Sequence, residues 1–153
     1  MRVRSLDAND DMSWGNGSAD FLVDSSRAVA QCILTRLKLF TGEWFLDLTA
    51  GTAWLPNEPT RGLPGVIGMQ PGDSARDIIL RSRILGTPGV SEIIDYQSYL
   101  DPIARHFSVF ATVATIYSGI PITIGLGLAP TPTGAQWFIL DQTPLNSNVP
   151  MKP

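Results

Sequence analysis

The chain has 153 residues, enough for one domain that buries roughly two thirds of its unfolded surface, and only 16% of them are charged, for a net charge of −3. No segment concentrates Lys and Arg, which argues against a nucleic-acid binder held by phosphate neutralisation. A single Cys (Cys32) and a single His (His106) exclude a Cys/His structural zinc site, and the opening MRVRSLDANDD lacks the apolar core of a secretory signal, so cytosolic synthesis is the expectation.

Residues 1–6 read as a short strand and 7–18 as a polar loop, with Gly15-Asn16-Gly17 as its turn chemistry. A second short strand is predicted over 19–23. Asp24, Ser25 and Ser26 are N-cap candidates for a helix over 24–41, where Val29, Ile33, Leu37 and Phe40 fall at helical spacing and Gly42 is placed to stop it. Cys32 lies on the apolar stripe and reads as a packing residue. From 57 to 72, Pro59, Pro64, Pro71 and four glycines exclude a regular helix, leaving a loop with room for a short strand over 65–69. A second helix is predicted from Asp73 or Ser74 to Leu85, with Ala75, Ile78, Ile79 and Leu85 as its apolar positions and Arg76, Arg81 and Arg83 as a basic side. Gly86-Thr87-Pro88-Gly89 ends it.

The remainder reads as sheet. Residues 90–100 have strand-like content, 107–117 alternate, and Ile120, Ile122, Ile124, Leu126 and Leu128 face one way against Pro121, Thr123, Gly125 and Gly127. Ser118-Gly119 is expected to join the two strands as a hairpin, and Pro121, with no N–H to donate, places the second strand at an edge or starts it later. Trp137–Leu140 is a possible final strand, and 141–153 reads as an extended tail. The charge-free run 107–140 is long enough to cross a membrane, but its glycines, prolines and alternation favour paired strands.

Most motifs reduce to bland readings. Asp7, Asn9 and Asp11 imitate the start of a calcium loop, but Met12 and Ser18 stand where Gly and Glu belong. His106 has no orienting acid or nucleophile at a recognisable spacing, so a His at a strand start is the expectation. The enzymatic look-alike is Phe45-Leu46-Asp47-Leu48-Thr49-Ala50-Gly51-Thr52, which resembles the first motif of S-adenosylmethionine-dependent methyltransferases. Against it, Met69-Gln70 stand where an acid should end the second strand, and Ala53 replaces a glycine. Pro56, Pro59 and Pro64 interrupt the connecting helix, each at about 3 kcal/mol or more.

A second resemblance rests on order. The helix 27–40, Thr41-Gly42-Glu43-Trp44, the Asp47…Gly51 turn and Trp54-Leu55-Pro56 are similar to the baseplate wedge or sheath-initiator proteins of contractile-tailed phages, in the Mu-like branch. Ile84-Leu85-Gly86-Thr87-Pro88-Gly89-Val90, Arg105, the strand Val113-Ala114-Thr115-Ile116-Tyr117 and the early Asp7…Asn9-Asp10…Trp14-Gly15 pattern extend it over 6–120. Thr87-Pro88-Gly89-Val90 replaces a Glu-Pro-Arg tripeptide of better-known members. The resemblance implies a non-enzymatic virion component, assembled in the host cytoplasm into the tail baseplate. Its implied partners are wedge, hub and sheath or tube proteins, with no nucleic acid and no membrane, and its sheet edges would dock the first sheath ring.

The expected fold is α+β: two main helices packed on a small, largely antiparallel sheet, with a C-terminal hairpin and extended tail. Residues 1–140 form one domain in this reading and 141–153 the tail. No catalytic, cofactor-binding or metal-binding residue is expected; Glu43, Trp44, Trp54, Ile122, Ile124, Leu126 and Trp137 are the interface candidates. The alternatives are a methyltransferase-like enzyme and the equivalent subunit of a non-viral contractile injection machine.

Overall fold

A computed structural model describes residues 1–7, 11–55, 65–67, 69, 74–101, 103, 106–128 and 136–140. The predicted tail and most of the predicted 57–72 loop lie outside the described residues, as do Asn9, Arg105, Pro56, Pro59 and Pro64. Among these residues, two antiparallel sheets and two α-helices form the α+β fold. The smaller sheet pairs β1 (Arg2–Arg4) with β2 (Phe21–Val23). The larger is a meander of β3 (Val90–Asp101), β4 (His106–Thr115), β5 (Ser118–Leu128) and β6 (Gln136–Leu140), in that spatial order.

Between β1 and β2 the chain loops out and returns through a 3-10 turn, Gly17–Asp20. Gly15 and Gly17 hold φ of 90° and 63°, the left-handed region the turn chemistry requires. Asp20, 3% exposed, pins the loop from inside: its carboxylate accepts from the Ser13 hydroxyl (2.7 Å) and from the Asn16 backbone and side-chain amides (both 2.9 Å). Those bonds, Ser13's first, hold its carboxyl below the ordinary aspartate value. Asp7 also serves local structure, accepting from the Asp11 backbone N–H at 3.0 Å.

Helix α1 (Ser26–Lys38) is shorter than predicted at both ends. Asp24 has φ of 41°, which a helix excludes. Ser25 is the N-cap, its hydroxyl accepting from Ala28 N at 3.2 Å. Leu39 turns extended, so Phe40 leaves the stripe and is 40% exposed, while Val29, Ile33 and Leu37 are buried as expected. Gly42 (φ 89°) shapes the turn beyond instead of stopping the helix.

Helix α2 (Ser74–Leu85) corrects the sequence reading. Its buried stripe is Arg76, Leu80 and Ile84, with Ile79 partly buried, whereas Ile78 is 65% and Leu85 50% exposed. Residues four apart share a face and residues two apart do not, so Ile78 cannot accompany Leu80 inward. Arg76 joins the stripe because its stem packs and its guanidinium lies over the Phe107 ring at 4.6 Å.

The helices cover one face of the large sheet, with α1 against β5 and α2 against β3. Val109↔Leu126, Ala111↔Ile124 and Val113↔Ile122 face each other across the β4–β5 ladder, all buried. The opposite face carries Gln97, Phe110 and Gly125 in one cross-strand row. The hairpin differs from expectation by its position: Thr115 pairs with Ser118, so Ile116-Tyr117 form the loop and Gly119 belongs to β5. Pro121 falls within the register irregularity between the Val113↔Ile122 and Thr115↔Ser118 pairs, where no N–H is demanded of it. The expected edge at 120–128 is also corrected. β6 pairs with β5 from Thr123↔Leu140 to Gly127↔Gln136, so among the described residues the sheet's edges are β3 and β6.

Candidate assembly surfaces and the cap of the first helix

The stretch that resembles a cofactor loop is a helix cap. A helix leaves its last carbonyls without intrahelical donors, and residues 51–54 return past the end of α1 to supply them. Thr52 Oγ1 donates to Arg36 O at 3.0 Å, Trp54 Nε1 to Leu37 O at 2.6 Å, and Thr52 N to Leu39 O at 2.8 Å. Thr41 N answers to Thr52 O at 3.1 Å, and Phe40 bridges Thr52 in parallel. Gly51 makes the approach possible: its φ is 86°, and a Cβ there would lie 2.5 Å from the Leu39 carbonyl oxygen. Beyond the cap, Val66 N and Ile67 N donate to Ala53 O and Trp54 O, each at 2.8 Å. The short strand expected there is a bend and turn at these two residues.

The residues between the two arms of the cap project outward. No strand forms over 43–49; successive turns close by Asp47 N to Trp44 O and Ala50 N to Asp47 O, both 3.1 Å. The strand that the methyltransferase alternative required is therefore absent from this segment. Asp47 accepts from the Thr49 hydroxyl at 2.6 Å and its backbone N–H at 2.9 Å, which keeps its carboxyl below the ordinary value. Phe45, Leu46 and Leu48 are 81%, 69% and 53% exposed. With Trp44 at 45% and Leu55 at 50%, they make an apolar projection of the kind that marks contact with another surface.

The interface candidates from sequence separate into distinct environments. Glu43 is exposed, with Oε2 accepting from Phe40 N at 2.9 Å, so it also closes the turn after α1. Trp44 lines an open groove of about 640 Å³ between the ends of the two helices. Trp54, Ile122, Ile124 and Leu126 are 2–4% exposed and belong to the core. That placement corrects the view of them as contact side chains: alternation along β5 turns Ile122, Ile124 and Leu126 to the face that α1 covers, and Trp54 is held at the end of α1 by its bond to Leu37 O. Trp137 stands opposite Leu126 in the β5–β6 ladder.

Sequence reasoning missed two features. The outer edge of β3 has no ladder partner among the described residues. The groove beside Trp44 gathers Arg36 and Arg83 from the last turns of different helices. Basic residues in both last turns were a visible signal, but their convergence is tertiary.

Among the described residues no three His, Cys, Asp or Glu side chains come together as a metal site, and no helix is long and apolar enough to cross a membrane. Cys32 is half-buried, and burial pushes its thiol up, away from the thiolate that reactivity requires. His106 begins β4, as expected.

Backbone edge and exposed apolar loop are the equipment of a protein that associates with other proteins. Residues 2–118 match the family model described as contractile injection system sheath initiator, and the chain belongs to that family. It is thus a structural component of a contractile tail machine, made to contact other tail or sheath components. No curated protein matches the chain.

Proposed function

We propose that the chain is a baseplate subunit of a contractile phage tail, of the Mu-like branch. In this role it joins wedge proteins around the hub and tube and templates the first sheath ring by strand pairing. Its place is the virion's tail baseplate, reached after assembly in the host cytoplasm. The observation that supports this reading is the outer edge of β3. Residues 95–101 keep unbroken register with β4, after irregularities at Val90/Glu92 and Ile93/Asp95. An edge in regular register offers alternate N–H and C=O groups that a partner's arm satisfies, and side-chain alternation then sets the register of the added strand. Exposed Tyr99 and Ile94 border that edge. Residues 141–153 are proposed as a second contact with a neighbouring subunit.

The test is a proline scan over residues 95–100, read by thermal melting and by electron microscopy of tails assembled with each variant. Prolines at alternate positions, whose N–H points away from β4, should leave folding intact and yield tails without sheath. Normal sheath on every folded variant would refute strand pairing at β3.

A further inference from the structure

The groove between the C-terminal ends of α1 and α2 holds an arginine whose guanidinium has no partner among the described residues. Arg36 is engaged: its guanidinium donates to the Gly86 carbonyl and to Thr87 Oγ1 (3.4 Å), tying the end of α2 to α1. Arg83 lines the same groove, and its guanidinium has no hydrogen bond or ion pair among the described residues. Burial, with Arg36's charge added, disfavours the Arg83 cation, and the charge of Asp47 offsets this in part. Asp47 is committed to Thr49. The N–H donors of Arg83 are therefore open to a further carboxylate, which would meet them with charge-assisted hydrogen bonds.

The groove's other walls say which anion. Trp44 and Leu39 line it, and Phe45, Leu46 and Leu48 project from the loop that forms its rim. One guanidinium without a partner among the described residues, in a chain with no segment that concentrates Lys and Arg, does not suit a phosphate polymer. A planar carboxylate suits the guanidinium fork, and apolar side chains beside it suit the rim.

We propose that this groove binds an acidic segment of a partner protein, one carboxylate pairing with Arg83 while flanking apolar side chains cover Trp44 and the projecting loop. The site is independent of strand pairing at β3, and its failure would leave that reading intact.

The test pans the full chain against a displayed library of random short peptides and measures the selected peptides, synthesised, by fluorescence anisotropy at low salt. The selected set should be rich in Asp or Glu next to Leu, Phe or Trp. Affinity should fall about tenfold or more in Arg83→Gln and on changing the peptide's acid to its amide, with Arg83→Lys retaining part of it. Circular dichroism checks the fold of each variant, and Trp44→Ala, at an exposed position, should weaken binding several-fold while leaving the fold alone. Recovery of no binding peptide, of peptides without acids, or of peptides that bind Arg83→Gln equally would overturn the proposal. So would displacement of the peptide by millimolar inorganic phosphate, which would mark a simple anion site.

Discussion

Replacing Trp54 by Phe tests the central structural claim, that the Gly-Thr-Ala-Trp segment exists to close the end of α1. The indole N–H is the donor that meets Leu37 O, and the side chain is 2% exposed, so no water replaces it. A buried carbonyl left without a donor costs about 1–3 kcal/mol. The smaller ring leaves a cavity worth about 1 kcal/mol more, at roughly 24 cal/mol per Å³. The total is about 2–4 kcal/mol, which at a urea m-value of about 2 kcal/mol/M lowers the midpoint by about 1–2 M. Far-UV circular dichroism is the probe, since the substitution removes a fluorophore. Thr52→Val removes the neighbouring bond to Arg36 O without changing shape, and should cost about 1–2 kcal/mol. Both act on one helix end, so the double variant should depart from additivity. A Trp54→Phe midpoint within experimental error of the parent, at unchanged m-value, would refute the capping role.

Gly51→Ala should be among the most damaging single-atom additions, because both the positive φ and the 2.5 Å approach to Leu39 O oppose it; a thermal midpoint within a degree of the parent would contradict that geometry. Along α2, Ile84→Lys should abolish cooperative unfolding while Ile78→Lys changes stability by no more than about 0.5 kcal/mol, and equal effects would sink the observed helix face. Asp20 has its pKa lowered in the fold, so its contribution is present above the ordinary aspartate value and lost as pH falls through the folded value. Asp20→Asn should therefore flatten the loss of stability on acidification below about pH 4, and an unchanged slope would mean the carboxylate is not the group involved.

Local pattern made much of the fold legible. The Val29-Ile33-Leu37 stripe, the Ser25 cap and the alternation of β4 and β5 each depend on neighbours within a few residues, where spacing alone determines which side chains share a face. The order of short motifs was also sufficient for the family, since order survives when individual residues diverge.

The tertiary structure decided what those patterns could not reach. Composition marked Ile78 and Leu85 as apolar face, but packing against β3 and Phe107 turned Arg76, Leu80 and Ile84 inward. Residues 123–127 looked like an edge, but β6 pairs with them and leaves β3 and β6 at the edges of the described sheet, while α1 packing on the face of β5 buries Ile122, Ile124 and Leu126. Gly51 looked like a glycine for a cofactor; only the return of the chain past α1 shows that the close approach is to Leu39. Each correction turns on a contact between residues distant in sequence or on which face an element presents. Local spacing limits such choices, and packing makes them.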